Sequence, residues 1–310
     1  MLPCVLVTGG SGYLGQFVIT ALKEAGFEVA YTYASKPLAS APEGVQAFQV
    51  DFKSGDGLDA AFASGPFVGV VNCAAVSQPG LCEKDEASAR AVNVPSHLVG
   101  AMGRQREGGG GEALLLHLST DQVYDGSHAM WTEDDAVEPV NAYGRSKVEA
   151  EEYIRAHWPA HVCLRSSIIY GPPAPGTQRP LFLQFVEGAL RSGTPTSFFD
   201  DEFRSPVHVA DICAVLAALL ARPPPGPRTY NMGGPQRLSR ADMACAVAAA
   251  RGLPGDAIVA APAASVQRGV ASPADISMDS SRLAADTDVT PTLFADALAR
   301  IPEWHPPAES

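Results

Sequence analysis

A tyrosine, a lysine and a threonine in the middle of the chain have the spacing of an acid–base site. Tyr143 and Lys147 are four residues apart in the helix-like segment NAYGRSKVEAEE, so both side chains project from one face. A tyrosine, with an ordinary pKa of about 10, is a poor acid–base group at neutral pH, and a nearby ammonium favours its phenolate. Thr120 ends the apolar run ALLLHLST and can hydrogen-bond the substrate oxygen that Tyr143 protonates. We predict that these residues transfer a proton to a substrate carbonyl.

A glycine-rich stretch near the start of the chain has the pattern of a phosphate-binding loop. LVTGGSGYLGQ directly follows an apolar strand-like run and opens a helical segment, which is the context that dinucleotide binding requires. Gly9 allows a tight turn, Gly12 lets the backbone approach a pyrophosphate, and Gly15 lets the helix pack closely on the strand. Tyr13 and Leu14 open the helix, whose N-terminus faces the anion. We predict a dinucleotide site here, with a purely structural turn as the alternative.

The end of the second strand bears on which nicotinamide cofactor is bound. An acidic side chain at this place accepts from the ribose 2′-hydroxyl and repels a 2′-phosphate. The segment YTYASK contains no acid, whereas Ser35 and Lys36 can receive a phosphate. NADP(H) is therefore favoured over NAD(H), with an ordinary surface lysine as the alternative interpretation of Lys36.

Alternating strands and helices are needed to position these residues, and the first half of the chain has that pattern. Apolar β-rich runs alternate with helix-like stretches, one of which extends from about Gln16 to Ala25. The runs are CVLVTG, FEVAYTYA, VQAFQVD, FVGVVNCAA and ALLLHLST. They are apolar throughout, as strands covered by helices on both faces should be. The predicted fold class is α/β, a doubly wound parallel (Rossmann) sheet.

Beyond about residue 165 the rhythm becomes irregular, which indicates a second and smaller lobe. Proline-rich turns such as GPPAPG are followed by an Ala-rich helical piece at 241–250. We predict a dinucleotide-binding domain at 1–165, with 205–235 packing back onto it, and a C-terminal substrate-binding lobe formed by 166–204 and 236–310.

Composition argues against several classes of function. With 22 Lys and Arg against 34 Asp and Glu, the net charge of −12 argues against a nucleic-acid surface, which needs a basic stripe. No apolar run approaches the roughly 18 positions of a membrane span. The acidic cluster from Glu133 to Glu138 is typical of a solvated loop, and we expect no metal site. We therefore expect neither a nucleic-acid nor a membrane partner, and the sequence leaves a homodimer open.

The six cysteines lack the Cys-x-x-Cys spacing of metal and redox motifs, and most of them lie in apolar runs. Such cysteines behave as small buried hydrophobes, which favours a reducing compartment. No basic n-region or long apolar core marks a signal peptide at the start of the chain. We expect a cytoplasmic protein, or one of another reducing compartment such as an organelle if a transit peptide was trimmed.

Together these motifs resemble those of the extended short-chain dehydrogenase/reductases. TGGSGYLG, NCAA, STDQVYDG and YGRSK match that family's pattern in the expected order, over nearly the whole chain. The resemblance implies that Thr120, Tyr143 and Lys147 form a catalytic triad, and that Tyr143 and Lys147 also contact the cofactor. It further implies a set of cofactor-groove residues: Asp51 and Phe52 near the adenine, Asn72, Ala74 and Ala75 along the groove, and Asn93 in the neighbouring helix.

Within that family, STDQVYDG with the following acidic stretch and NAYGRSK look most like the dTDP-4-dehydrorhamnose reductases. The same motifs resemble a non-catalytic relative, the regulatory β subunit of methionine adenosyltransferase. The resemblance implies an NAD(P)-dependent nucleotide-sugar reductase, in which NADPH delivers hydride to a keto carbon and Tyr143 protonates its oxygen. A nucleotide-sugar epimerase that uses the cofactor transiently and a non-catalytic regulatory subunit are the alternatives.

Two arginines resemble the diphosphate-binding pair of sugar-nucleotide epimerases and dehydratases. Arg204 precedes VHVAD as in those enzymes, and Arg268 lies five residues before Pro273. Two guanidinium groups from separate segments suit a diphosphate, which offers several oxygens for charge-assisted bonds. The resemblance thus implies a nucleotide-sugar substrate held by both arginines. Ile168 replaces the asparagine that many epimerases carry before the Tyr-Gly-Pro turn, which favours the reductase over the epimerase.

Overall fold

Strands and helices alternate through the first part of the chain as predicted, in a computed structural model that describes residues 2–175 and 181–302. The strands are β1 (Cys4–Thr8), β2 (Glu28–Tyr33), β3 (Gln46–Gln49), β4 (Gly69–Asn72), β5 (Leu114–Thr120), β6 (His161–Ser166), β7 (Ile169–Tyr170), β8 (Thr196–Phe199), β9 (Phe203–Arg204), β10 (Val207–His208), β11 (Arg228–Met232), β12 (Leu238–Ser239) and β13 (Ile258–Ala261). The helices are α1 (Tyr13–Glu24), α2 (Leu58–Phe62), α3 (Pro79–Lys84), α4 (Glu86–Asn93), α5 (Ser96–Glu107), α6 (Ala142–His157), α7 (Phe182–Ser192), α8 (Val209–Ala221), α9 (Arg240–Arg251), α10 (Ser281–Thr287) and α11 (Phe294–Arg300). The end of the GPPAPG segment and residues 303–310, both in the predicted C-terminal lobe, lie outside the described residues.

Seven strands form a parallel sheet in the order β11-β6-β5-β4-β1-β2-β3. The order reverses between β1 and β4, which pair in register from Val5 beside Gly69 to Thr8 beside Asn72. In open sheets of this kind, ligands bind outside the carboxyl ends of the strands at the point of reversal. The predicted α/β fold with a doubly wound parallel sheet is confirmed, and its crevice lies at the ends of β1 and β4.

Helices cover both faces of the central strands, which explains their apolar sequences. Val5 and Val7 of β1 belong to the apolar cluster that also contains side chains of α1 and α8. Leu6, between them, belongs to a second cluster on the opposite face, with side chains of α5 and α6. Every residue of β5 is buried. β3 departs from the prediction of uniformly apolar strands, because its sequence QAFQ lies at the edge of the sheet and is mostly exposed.

Two elements from the later part of the sequence belong to the central sheet and its helical layer: strand β11 and helix α8. Ile212 and Leu216 of α8 are buried in the same apolar cluster as α1. After the proline-rich connector RPPPGP, β11 pairs in parallel with β6, with Arg228 beside Val162. An element from late in the sequence therefore forms one edge of the sheet.

A separate apolar cluster joins α7, β8, α9 and α11, with Phe198 and Leu298 among its buried members. Helix α9 begins with a capping box. The Ser239 hydroxyl accepts from the Asp242 backbone N–H at 3.0 Å, and the Asp242 carboxylate accepts from the Ser239 N–H at 2.9 Å. These bonds satisfy two N–H groups of the helix terminus and fix its first turn, to which Arg240 belongs.

The acidic cluster is less solvated than the sequence predicts. The Glu133 side chain is only 5% exposed, accepts from the Asn231 N–H at 2.8 Å, and lies 3.5 Å from the Arg282 guanidinium. This carboxylate therefore attaches its loop to β11. Among the described residues, no group of three or more His, Cys, Asp or Glu is arranged to hold a metal ion. Within the same ranges, no helix has the length and apolarity to cross a bilayer.

Candidate active site

Two adjoining cavities lie at the carboxyl ends of β1 and β4. The larger, of about 830 Å³, is called here the glycine-loop cavity and is lined among others by Ser11, Thr32, Ser35, Asp51, Phe52, Lys53, Ala74 and Val76. The smaller, of about 450 Å³, is called the triad cavity and is lined among others by Tyr13, Leu14, Gly15, Thr120, Gln122, Tyr143, Lys147, Phe182, Arg204 and Arg240. Gly9, Gly12, Cys73 and Ala75 line both. The structure thus brings the predicted loop and the predicted triad to one cleft.

The glycine loop is shaped by close backbone contacts. Gly9 has φ +63°, a left-handed conformation, and a Cβ there would lie 2.9 Å from the backbone of Ala74. A Cβ on Gly15 would lie 2.5 Å from the Gly9 carbonyl oxygen, so the first turn of α1 packs directly on the loop. Gly12 is the N-cap of α1, and the first turn contains no acidic side chain. The N-terminus of α1 is therefore suited to receive an anion.

The triad residues come from two elements that meet at the cleft. Thr120 is the last residue of β5, and Tyr143 and Lys147 lie one turn apart on α6. All three are buried, with exposed fractions of 4%, 9% and 2%. Asn141 caps α6, because its side-chain oxygen accepts from the Gly144 N–H at 2.9 Å. The cap places the first turn of α6, and with it Tyr143, against the cavity.

A buried polar network fixes α6 against β5 and β6. The Ser119 hydroxyl donates to Glu151 at 2.5 Å, and the Arg165 guanidinium pairs with the same carboxylate at 2.8 Å. Glu151 lies one turn beyond Lys147 on α6, and Ser119 precedes Thr120 on β5. The network therefore sets the separation of the strand and the helix that carry the triad.

The phenol of Tyr143 keeps its proton in this environment. Burial raises the pKa of Tyr143, and the negative charge of Asp121 adds to the rise, while the Thr120 hydroxyl opposes it. We expected Lys147 to favour the phenolate, but the protein's own groups have the opposite net effect on this pKa. A protonated phenol is the form that can donate a proton to a substrate oxygen.

Lys147 is buried beside a histidine that the sequence did not reveal as part of the site. Burial lowers the pKa of Lys147 to about 8, and the carboxylate of Glu151 opposes this. Its Nζ lies 3.4 Å from Nε2 of His117, whose Nδ1 lies 2.9 Å from the Asn72 amide nitrogen. The Thr8 hydroxyl contacts the Asn72 amide oxygen at 2.6 Å and continues the chain of hydrogen bonds to β1. The ammonium is therefore connected to the core of the sheet.

The predicted cofactor residues fall into two groups. Ser35, Asp51, Phe52, Ala74 and Ala75 line the glycine-loop cavity, whereas Lys36 is exposed and does not line it. Asn72 and Asn93 are buried, at 3% and 0% exposed. Asn93 accepts from the Val76 N–H at 2.7 Å and donates to the Ser146 hydroxyl at 2.9 Å, so it links the groove to α6.

The arginines predicted to bind a diphosphate are both engaged with the protein. The Arg204 guanidinium donates to the carbonyl oxygens of Phe203, Ala274 and Pro273, at 2.7, 3.3 and 3.0 Å, and to the Ser272 hydroxyl at 3.2 Å. Arg204 is also only 4% exposed. These bonds hold β9 to the segment at 272–274.

Arg268 pairs with Glu202 at 2.5 Å and lies over the Phe199 ring, 4.6 Å from its centroid. Glu202 is itself buried, and its carboxylate lies 3.8 Å from Arg204. Both predicted arginines line a third cavity of about 540 Å³, called here the arginine cavity. The structure therefore brings Arg204 and Arg268 together, with an acidic side chain between them.

Sequence reasoning missed several residues that line the triad cavity: Asp121, Gln122, Phe182 and Arg240. It also missed His117, which contacts Lys147. Of these residues, only His117 could have been predicted from the sequence. It is a polar residue within the otherwise apolar run ALLLHL, and a buried polar side chain needs a hydrogen-bond partner. Lys53 also lines the glycine-loop cavity, and it lies two residues beyond the predicted Asp51. The rest depend on contacts between distant segments.

Comparison with known proteins shows the family of this chain. The family model described as the RmlD substrate binding domain matches residues 3–303. The chain is 30% identical over 218 residues to the probable low-salt glycan biosynthesis reductase Agl14 of Haloferax volcanii, covering 69% of each chain. It is 27% identical over 256 residues to methionine adenosyltransferase 2 subunit beta of Mus musculus, covering 81% of this chain and 72% of that protein.

Among solved structures, the dTDP-4-dehydrorhamnose reductase of Bacillus anthracis, in complex with NADP, is similar with a TM-score of 0.82 at 18% identity, covering 97% of this chain and 99% of that chain. At that identity the likeness concerns the fold, which agrees with the sheet described above. The family match covers nearly the whole chain. The chain therefore belongs to the RmlD substrate binding domain family, within the extended short-chain dehydrogenase/reductases.

Proposed function

We propose that the protein is an NAD(P)-dependent reductase of the dTDP-4-dehydrorhamnose reductase type, acting on a keto carbon of a nucleotide-linked sugar. The observation that carries the proposal is the meeting of Thr120, Tyr143 and Lys147 with the glycine loop in one cleft. The relative Agl14 is named as a reductase, and the Bacillus anthracis structure contains NADP, which supports the same chemistry.

The residues of the cleft fit a dinucleotide. The backbone at Gly9 and Gly15 leaves no room for a Cβ. A loop of this shape allows a phosphate to approach the backbone closely. The first turn of α1 carries no acid that would repel one. When bound, the nicotinamide would supply a hydride to the substrate carbon. Gly9, Gly12, Cys73 and Ala75 would hold the dinucleotide across the two cavities that they share.

The triad would donate a proton to the substrate and stabilise the negative charge that develops during the reaction. Tyr143, whose pKa is raised by burial, holds a proton and would donate it to the substrate oxygen. Thr120 would orient that oxygen by a hydrogen bond. The ammonium of Lys147 would stabilise the phenolate that remains after proton transfer and would hold a ribose hydroxyl of the cofactor. Because all three side chains are buried, water would compete weakly for these contacts.

We favour NADP(H) over NAD(H) as the cofactor. The segment YTYASK contains no acid, Ser35 and Lys53 line the glycine-loop cavity, and Lys36 is exposed beside Ser35. We expect a lower KM for NADPH than for NADH. Lys53→Ala should raise the KM for NADPH about tenfold, as expected for the loss of one charge-assisted bond, and leave that for NADH unchanged.

The test is to incubate the purified protein with NADPH and a panel of 4-keto nucleotide sugars while following NADPH absorbance. Steady NADPH loss with formation of a reduced sugar would support the reductase. Interconversion of sugars without NADPH loss would replace it with an epimerase. Tyr143→Phe should bind NADPH normally and turn over at least 100-fold more slowly, as removal of a general acid predicts.

Tyr153→Phe is the matched control for this variant. Tyr153 lies on the same helix and stacks on His157, with ring centroids 4.1 Å apart, and it lines neither cavity of the cleft. Its turnover should equal that of the unaltered protein.

A second candidate is a non-catalytic subunit that presents this fold to a partner enzyme. The similarity to methionine adenosyltransferase 2 subunit beta, over 81% of the chain, favours it. In that case the protein would bind NADPH, remain inert toward all 4-keto sugars, and co-migrate with a methionine adenosyltransferase catalytic subunit in size-exclusion chromatography.

A further inference from the structure

One arginine at the cleft has no acceptor for its donors. Among the described residues, the Arg240 guanidinium makes no hydrogen bond and no ion pair within 4.0 Å, and its Nη1 is buried. The guanidinium lies over the Phe182 ring, with its carbon 4.9 Å from the ring centroid. A guanidinium N–H that is buried without an acceptor is costly. Such a group therefore calls for an anionic partner.

The charges around Arg240 lead to the same conclusion. Burial and the neighbouring positive charge of Arg204 lower the pKa of Arg240 to about 10, despite the carboxylates of Glu202 and Asp121. Three guanidinium groups (Arg204, Arg240 and Arg268) share two carboxylates (Glu202 and Asp121), and the closest of these pairs joins Glu202 to Arg268. Positive charge is therefore left uncompensated at Arg240.

Arg240 stands where two cavities adjoin. Gln122, Phe182, Arg204 and Arg240 line both the triad cavity and the arginine cavity. A substrate whose keto carbon lies beside Tyr143 must extend past these four residues to reach the arginine cavity. In a nucleotide sugar, the group between the sugar and the nucleoside is the diphosphate.

We propose that Arg240 is the principal diphosphate-binding residue of this protein, and that Arg204, one of the two arginines expected from the sequence, instead holds the backbone of the site. The proposal rests on the proposed function for the identity of its ligand. The planar guanidinium of Arg240 can offer two parallel N–H donors to phosphate oxygens without breaking an existing bond. Arg204 could do so only by releasing backbone carbonyls.

The experiment is calorimetric titration of the full-length protein with inorganic pyrophosphate, dTDP and UDP, in the presence of saturating NADP⁺ so that the glycine loop is blocked. The variants are Arg240→Gln, Arg240→Lys and, as the matched control, Arg237→Gln. Arg237 is three residues earlier, pairs with Asp275 at 2.7 Å, and lines none of the three cavities. Thermal denaturation checks that each variant folds, and Arg240→Gln should not lower Tm because no protein acceptor loses a partner.

We expect Arg240→Gln to weaken dTDP or UDP binding roughly 10- to 100-fold, the range for loss of a charge-assisted hydrogen bond to phosphate. Arg240→Lys should restore part of this loss, and Arg237→Gln should bind as the unaltered protein does. Arg240-dependent binding without turnover of any keto sugar would remove the reductase proposal and leave the anion site standing. Equal affinities for Arg240→Gln and the unaltered protein, or no binding of any probe, would overturn the inference even if turnover is observed.

Discussion

Nε2 of His117 lies 3.4 Å from Nζ of Lys147, and both side chains are buried. Burial and the positive charge of Lys147 place the pKa of His117 well below its usual value, so the imidazole is neutral at neutral pH. An ammonium can only donate, so Nε2 must accept from a charged Lys147, which leaves the proton on Nδ1. In the structure the Asn72 amide nitrogen faces Nδ1 and the amide oxygen faces Thr8. A proton on Nδ1 therefore requires the amide to turn by 180°, so that its oxygen accepts from His117. The charge of Lys147 is thus coupled to the orientation of a side chain in the sheet.

The first prediction concerns the pH dependence of the reduction. The pKa of Lys147 is lowered to about 8, so its charged form is lost as the pH rises through that value. Tyr143, whose pKa is raised, keeps its proton over the same range. We expect kcat/KM to fall about tenfold per pH unit above this point, because kcat/KM reports the free enzyme. A profile that stays level to about pH 9.5 would contradict the role of Lys147.

A second prediction follows from the contact of His117 with Lys147. His117→Leu removes an acceptor from the buried ammonium, so the pKa of Lys147 should fall and the alkaline limb of kcat/KM should move to lower pH. His117→Gln, which offers an amide oxygen, should move the limb back toward its original position. A merely structural histidine would change stability and leave the position of the limb where it was. Tm and kcat/KM profiles of both variants distinguish the two cases.

A third prediction concerns the stability of the frame that holds α6. Glu151→Gln leaves the Arg165 guanidinium, which is 5% exposed, without its carboxylate. We expect a loss of about 3–5 kcal/mol in the free energy of unfolding, measured by urea denaturation. The control is Glu149→Gln on the same helix. The ion pair of Glu149 with Arg90 is largely exposed, so its loss should lower the free energy of unfolding by less than about 1 kcal/mol. Equal effects of the two substitutions would disprove the buried network as a determinant of stability.

A fourth prediction separates backbone strain from crowding in the glycine loop. Gly9→Ala places a methyl group 2.9 Å from the Ala74 backbone, at a residue with φ +63°. Gly26→Ala has the same kind of strain at φ +87°, but no atom lies within 4 Å of its new methyl group. Both should lose about 1–2 kcal/mol of stability from the left-handed backbone. Only Gly9→Ala should also weaken NADPH binding, by tenfold or more, as measured by fluorescence titration.

Sequence spacing predicts the parts of this site that are local. Tyr143 and Lys147 share a helical face because four residues make about one turn, and Thr120 ends a strand whose apolar run marks its limit. Arg240 could not be found in this way. Its place in the cleft depends on α9 packing against the rest of the later chain, and one sequence contains no pattern for such contacts.

The prediction for Arg204 illustrates the opposite difficulty. Its position along the chain matches a diphosphate-binding arginine, but the sequence cannot tell whether its donors are free. In the structure, carbonyl oxygens of Phe203, Pro273 and Ala274 accept those donors. Residue type and order predict where a guanidinium lies, and the surrounding backbone decides what it can bind.

The pairing of β11 with β6 has a consequence for the order in which the polypeptide is made. All six residues of β6 are buried in the finished sheet, and their outer partner begins only at Arg228. Until that partner leaves the ribosome, a nascent chain with a formed β6 exposes an unpaired strand edge, which is a template for association with other chains. A fragment ending near residue 165 would contain the glycine loop and the triad and still be prone to aggregate. We therefore expect a chain shortened to about residue 165 to be less soluble than the full-length protein.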